Sequence, residues 1–233
     1  MLYNLNVNQF TYPQQVTNLG PGTGLRPKIV TSTNKAHVIF LRTDISPSRA
    51  STRDADLSTN PPTWESSYEN IAIAEHASDG IWYQSIVRRG DTLHVVSYEY
   101  VSGGPHYMHA SKRYVNDNSW PSSTDLGPYS FLNFDGKRSL VVLADTIYGL
   151  YPTWTGSQLN LLIYKPSTGW STSDLIERER TLWIPDCFII KDRCVLLLAP
   201  QQLCLSVDQE KSVSPQRVGH DTDVLDRPQL GYR

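Results

Sequence analysis

The sequence lacks long apolar runs and contains few cysteines. No stretch of the 233-residue chain approaches 18 consecutive apolar residues, so we predict no membrane-spanning helix. The three cysteines are an odd number, and no histidine or cysteine stands at zinc-like spacing beside them. We therefore expect buried thiols rather than a disulfide framework, with no metal and no cofactor. The cysteines are Cys187, Cys194 and Cys204.

An excess of one charge sign is also missing. The formal net charge is -2, and no polybasic stretch occurs. Nucleic acids and anionic membranes are poor partners for such a chain. The opening residues, MLYNLNVNQFTY, include neither the basic segment nor the apolar segment of a signal peptide. We expect a cytoplasmic protein that binds neither nucleic acid nor membrane, and the sequence leaves oligomerisation open.

Sustained helical periodicity is absent, whereas a short phrase recurs. The phrase places a small polar turn before a tryptophan and then a Ser/Thr stretch, as in DNSWPSSTDLG and STGWSTSDLI. Its tryptophans are Trp64, Trp120 and Trp170, and weaker copies contain Phe10 and Val213. Between these markers, turns flanked by apolar and β-branched runs predict hairpins. The predicted hairpins cover 28–41, 84–99, 131–145 and 187–200.

Repeating units of about fifty residues with three to four strands each predict an all-β fold, a β-propeller of four to five blades. We expect one domain covering 1–233. Because an open ring would expose sheet edges, we expect the N- and C-terminal segments to pair and close it. The recurring tryptophans are predicted to be structural, with each ring covering a blade edge while its indole N–H finds a partner.

With these motifs the chain resembles the fungal fucose-specific lectin propellers and, more loosely, the Asp-box sialidase-like propellers. The resemblance is carried by LHVVSYEY followed by NDNSW, and by STGW. It implies a protein that binds a glycan or small molecule in clefts between blades, through arginine, glutamate and an aromatic ring. Where the fucose lectins have their arginine, this chain has His37, His94, Arg138 or Ser139, and Arg193.

The same resemblance implies an alternative function. Some lectin-like propellers are cofactor-independent cyclases or pericyclases of secondary metabolism, including the Diels-Alderase type. A sialidase or other glycosidase is the less favoured enzyme. In a strand, Glu99 faces away from Tyr98 and Tyr100, which argues against the Tyr–Glu pair of a sialidase. His37 and His94 recur at equivalent positions after the predicted turns, which favours a structural role.

A second set of aromatic residues precedes the predicted inner hairpins. Binding residues concentrate on loops held by a rigid scaffold, so we expect the ligand site on the face that carries these loops. Arginine can stack on a ligand and donate paired hydrogen bonds, which suits it to orienting the ligand. In the enzyme alternative, Arg138 would polarise a carbonyl group. The predicted site comprises the aromatic walls Trp82, Tyr151, Trp154 and Trp183, with Arg88 and Arg138 as polar groups.

Overall fold

The computed structural model describes residues 3–4, 9–10, 16, 19–20, 24–71, 80–121, 123–129, 140–152, 158–177, 185–190, 193–198, 203–207 and 214–217. These residues form antiparallel β-sheet, and none of them is helical. Within them, no helix is long and apolar enough to cross a membrane. In chain order the strands are β1 (Tyr3–Asn4), β2 (Gln9–Phe10), β3 (Gly24–Thr31), β4 (Lys35–Arg42), β5 (Arg49–Asp56), β6 (Thr63–Trp64), β7 (Glu69–Asn70), β8 (Gly80–Arg89), β9 (Thr92–Tyr100), β10 (His106–Tyr114), β11 (Thr124–Tyr129), β12 (Val141–Leu143), β13 (Thr146–Pro152), β14 (Gln158–Lys165), β15 (Gly169–Glu177), β16 (Pro185–Ile190), β17 (Arg193–Leu198), β18 (Leu203–Val207) and β19 (Ser214–Arg217).

The described strands form four large sheets, each built from consecutive strands. The first sheet is β3–β4–β5, with β6 and β7 both pairing β5; the second is β8–β11, the third β12–β15 and the fourth β16–β19. The first strands of the sheets contact one another in the order β3, β8, β12, β16. Sheets that follow one another in this way and meet along their first strands are arranged as the blades of a β-propeller.

The hairpin predictions are confirmed at three of the four places. The ranges 28–41, 84–99 and 187–200 fall on β3–β4, β8–β9 and β16–β17. In the range 131–145 the described residues include strand β12, which pairs with β13 through a turn at Ala144 and Asp145, so this hairpin lies later in the chain than predicted. Ala144 has a φ of 50°, a conformation that residues other than glycine seldom adopt. Residues 131–139 lie outside the described part of the chain.

The expected closure by terminal pairing is not formed by the described strands. Strand β1 pairs with β2, with Tyr3 opposite Phe10, in a separate two-stranded sheet. At the other end of the chain β19 pairs with β18. Among the described residues, no strand pairing joins the N-terminal hairpin to the fourth sheet. The prediction of a ring closed by these segments is therefore corrected: the described sheets are not closed.

The second sheet is buried on both faces, which explains the almost continuous apolar run in its strand β9. Successive side chains of a strand point to opposite faces. Leu93 and Val95 pack in one core with residues of the first sheet such as Ile39. Val96 and Tyr98 pack in a second core with residues of the third sheet that include Leu162. The second sheet therefore separates two cores, one at each of its interfaces.

Candidate functional site

Trp82, a predicted site residue, is presented at the start of β8 by a β-bulge. The ladder between β8 and β9 shifts between Ile81 and Tyr83, so Trp82 is the extra residue, and 36% of its surface is exposed. Bulges of this kind re-aim a side chain. The indole stacks on Tyr100 with ring centroids 4.6 Å apart, and Tyr100 in turn stacks on His106 at 4.7 Å. Trp82 is thus a rigid aromatic surface.

Arg26 belongs to the same region, although sequence reasoning did not select it. It lies in a register shift of β3, between Leu25 and Lys28. Its guanidinium donates to the carbonyl oxygen of Trp82 and lies 4.0 Å from the ring centroid of Tyr83. No signal in the sequence marks the two shifts, because a bulge follows from how neighbouring strands pair.

Arg88, predicted to share a site with Trp82, lies near the opposite end of β8. Arg88 is six positions along the strand from Trp82, which is roughly 20 Å. The Arg88 guanidinium donates to the carbonyl oxygens of Thr31 at 3.0 Å and Gly90 at 2.7 Å, at the hairpin turns. The structure therefore does not bring Arg88 and Trp82 together in one pocket.

Four other predicted residues are not described as side chains. Arg138, Trp154 and Trp183 lie outside the described residues. Tyr151 is part of strand β13, but its side chain is not among those described. Their assignment to a ligand site stays a prediction.

The interface between the first and second sheets contains a buried charge cluster. Arg113 on β10 donates to both carboxylate oxygens of Asp54 on β5, at 2.8 and 2.7 Å. The same carboxylate lies 2.9 Å from Nδ1 of His37, whose Nε2 is 3.1 Å from the hydroxyl of Ser32. Trp120 covers this interface: its indole N–H donates to Thr52 at 2.9 Å.

The interface between the second and third sheets is open on one side. A cleft of about 690 Å³ lies between their outer strands, β10–β11 on one wall and β14–β15 on the other. The half-buried ring of Trp170 and the ring of Tyr164 form an aromatic wall, with centroids 5.1 Å apart. The polar and charged side chains that line the cleft are Ser111, Lys112, Thr124, Asp125, Ser171 and Thr172.

At this second interface His94 takes the position that His37 has at the first. It is the third residue of β9, as His37 is of β4. Its ring lies 4.6 Å from that of Tyr164 and 6.3 Å from that of Trp170. Burial, followed by the positive charges of Arg89 and Lys112, lowers the pKa of His94 to about 4. The imidazole is therefore neutral at physiological pH.

Other polar side chains pair with each other within the protein. His109 Nε2 lies 2.6 Å from the Glu99 carboxylate, and both side chains are fully buried. Arg42 donates to both carboxylate oxygens of Asp44, and this hydrogen bonding lowers the pKa of the Asp44 carboxyl. Among the described side chains, no group of three or more His, Cys, Asp or Glu residues could hold a metal ion. None of these pairs lines the cleft.

The order of the sheets and the contacts between their first strands define a class of fold, the β-propeller. Solved structures share it. A sialidase of Trypanosoma rangeli in complex with sialic acid aligns with a TM-score of 0.58 and 11% identity, covering 83% of this chain and 37% of the sialidase chain. A GH43 β-1,3-galactosidase with galactodeoxynojirimycin aligns with a TM-score of 0.52 and 12% identity, covering 86% and 79%. A protein of unknown function from Dyadobacter fermentans aligns with a TM-score of 0.53 and 16% identity, covering 84% and 69%.

These likenesses establish the fold alone, since all the identities are low. The chain spans only 37% of the Trypanosoma sialidase chain. They support the sialidase-like part of the resemblance seen in the sequence, and they do not show the fucose-lectin part. No protein-family model matches the chain, and no curated protein matches it.

Proposed function

We propose that the chain is a carbohydrate-binding protein whose sugar site is the cleft between the second and third sheets. One observation carries the proposal: an open inter-sheet cleft combines an aromatic wall with charged and hydroxyl side chains. Trp170 and Tyr164 supply the wall, and Lys112, Asp125 and Thr172 supply polar groups. This site differs from the one expected around Trp82 and Arg88.

The chemistry of a sugar fits such a wall. A pyranose ring has an apolar C–H face that packs on an aromatic ring and a rim of hydroxyls that need donors and acceptors. Small-molecule sites combine a concave, largely apolar surface with a few polar groups, in volumes of about 300–1,000 Å³. The cleft volume of about 690 Å³ lies within this range.

The structural neighbours give independent support. One of them is a sialidase in complex with sialic acid, and another is a galactosidase with galactodeoxynojirimycin. The proposal carries over the sugar class alone, because the likeness covers the fold and not the residues of either site.

The geometry favours one site over a repeated one. In a lectin with a site at every interface, the first and second interfaces would present matching polar clefts. Here Arg113, Asp54 and Trp120 fill the part of the first interface that corresponds to the cleft. The first interface does have a polar hollow of about 470 Å³ at its hairpin turns, but no aromatic residue is among the described residues that line it, so the two interfaces do not match. For the cyclase alternative, the proposed carbonyl-polarising residue Arg138 lies outside the described part of the chain, and no described contact favours that reaction.

Two single variants test the location of the sugar site. Thr172 is exposed, lines the cleft and lies on the strand face that carries Trp170, so Thr172→Trp should fill the cleft without disturbing a core. Trp82→Ala removes an exposed aromatic surface away from the cleft and serves as the control. A glycan array followed by calorimetry should show sugar binding that Thr172→Trp weakens at least tenfold and Trp82→Ala leaves unchanged.

The opposite pattern, with binding lost in Trp82→Ala and kept in Thr172→Trp, would move the site to the start of β8. An array without any bound glycan would overturn the proposal.

A further inference from the structure

The cleft continues into a smaller hollow at the base of the same interface. This hollow has a volume of about 260 Å³ and shares Lys112, Pro121 and Tyr164 with the larger cleft. His94 and Arg89 also line it. A ligand in the cleft could therefore extend a substituent toward the imidazole.

His94 is a buried polar side chain without a hydrogen bond. Its surface is 0% exposed, and within the described part of the chain neither ring nitrogen has a hydrogen-bond partner. A buried imidazole in this situation loses hydrogen bonds that water would supply in the unfolded chain, which destabilises the fold. When such a group lines a binding cleft, its position indicates that an atom of the ligand is its hydrogen-bond partner.

The first interface shows what kind of partner this position accepts. His37 is opposite Asp54 in the pairing of β4 with β5, and the Asp54 carboxylate lies between the imidazole and the guanidinium of Arg113. In the second sheet His94 is opposite Lys112, in the register position of Asp54. The carboxylate of the first interface is thus replaced by a cation at the second.

The charge around His94 also suits an anion. Lys112 on β10 makes no ion pair within the described residues, and Arg89 on β8 pairs with the exposed carboxylate of Asp145 at 2.7 Å. Tyr164 on β14 faces the imidazole from the third sheet, together with the uncharged Trp170 on β15. Asp117 is an acidic residue that lines the hollow.

We infer that the hollow is a subsite for a carboxylate, bound between the imidazole of His94 and the ammonium of Lys112, and that the bound sugar is an acidic saccharide of the uronate type. This inference rests on the proposed function and adds its ligand class. The ligand carboxylate takes the role that Asp54 has at the first interface. His94 donates its ring N–H to one carboxylate oxygen, and Lys112 supplies the opposite charge.

Proton uptake should accompany binding. The free imidazole is neutral between pH 5 and 7, and a bound carboxylate favours its protonated form and raises its pKa. Affinity for the acid should therefore increase as the pH falls from 7 to 5. A uronate carboxyl stays ionised above about pH 4.5, so the ligand itself contributes little to this slope.

Calorimetry on the whole chain with oligogalacturonate, its methyl ester and a neutral galacto-oligosaccharide tests the inference. The acid should bind at least tenfold more tightly than the ester at pH 6. Lys112→Met should make the affinities for the acid and the ester similar. The control Lys35→Met, in the first sheet, should leave the preference for the acid unchanged. The acid should bind several-fold more tightly at pH 5 than at pH 7, and His94→Phe should remove that dependence while the ester shows none.

Equal binding of acid and ester by the unaltered protein would overturn the inference. If Thr172→Trp abolished that equal binding, the proposed sugar site would still stand. An acid preference that survives Lys112→Met would place the carboxylate elsewhere and also contradict the inference. Failure of all three saccharides to bind, together with an array without bound glycan, would overturn both proposals.

Discussion

At the scale of single residues, two tryptophans of the recurring phrase lie in different environments. Trp120 is buried, donates a hydrogen bond to Thr52 and lies under the guanidinium of Arg113, 5.0 Å from the ring. Trp170 is half-buried and packs beside Tyr164 at the cleft. Both rings contact the preceding sheet. The structural role predicted for the repeat stays a prediction, and the proposed sugar site departs from it at Trp170. The difference is that the preceding sheet provides the Thr52 hydroxyl to Trp120 and the ring of His94 to Trp170.

Trp120→Ala should lower the free energy of unfolding by about 3–5 kcal/mol, because it removes a large buried ring and leaves a cavity. Thr52→Val, which removes only the hydroxyl that accepts the indole N–H, should cost about 1 kcal/mol or somewhat more. Urea unfolding followed by fluorescence would measure both. Equal, small effects of the two changes would show that the ring contributes little beyond its hydrogen bond.

At the scale of elements, the first two sheets approach each other backbone to backbone at Gly80. The N–H of Ile81 donates to the carbonyl oxygen of Ser48 at 2.9 Å, and the Ser48 hydroxyl donates to the carbonyl oxygen of Ile81 at 2.7 Å. A Cβ atom on Gly80 would lie 2.4 Å from the backbone nitrogen of Ser48. This contact anchors the start of β8 immediately before the bulge that presents Trp82.

Gly80→Ala should therefore be strongly destabilising, by more than the roughly 1 kcal/mol that a left-handed backbone alone costs a non-glycine residue. Gly90→Ala is the matched control. Both glycines have a positive φ, 115° at Gly80 and 55° at Gly90, but a Cβ at Gly90 would meet nothing within 4 Å. Thermal unfolding should show a much larger drop in Tm for Gly80→Ala. Similar drops for both would mean that backbone conformation, and not the close approach, determines the cost.

At the scale of the whole molecule, stability depends on sheets packing against both neighbours. The second sheet contributes Val95 to one core and Val96 to the other. Neither face would be covered in an isolated sheet, and burial of apolar surface is the main term that opposes the entropy of the unfolded chain. The fold is thus a property of the series of sheets, as in other repeat architectures.

A chain that ends at residue 130 should therefore fail to fold cooperatively. It keeps the first core, but it exposes Val96, Tyr98 and Met108, which the third sheet covers in the full chain. We expect strong binding of a hydrophobic dye and a broad thermal transition without a defined midpoint. Calorimetry that gives the truncated chain the same sharp transition as the full chain would contradict this account.

The sequence by itself determined the strands, most of the hairpins and the repeating unit. These follow from residue type and spacing: β-branched runs form buried strands, and turns such as Arg-Gly-Asp at Gly90 carry their own conformational preference. The turn at Ala144 escaped prediction, because alanine is not a residue type that marks a turn and the position follows from the pairing of Val141–Leu143 with Thr146–Tyr148.

The tertiary structure alone decided which polar residues meet. Arg113 and Asp54 are 59 positions apart, and so they become partners only when the second sheet packs on the first. At the second interface Lys112 occupies the register position of Asp54 and Tyr164 faces His94, so that, among the described residues, no buried ion pair like Arg113–Asp54 forms there. Spacing along a strand predicts the face on which a side chain lies, whereas its partner belongs to another sheet and is fixed by packing.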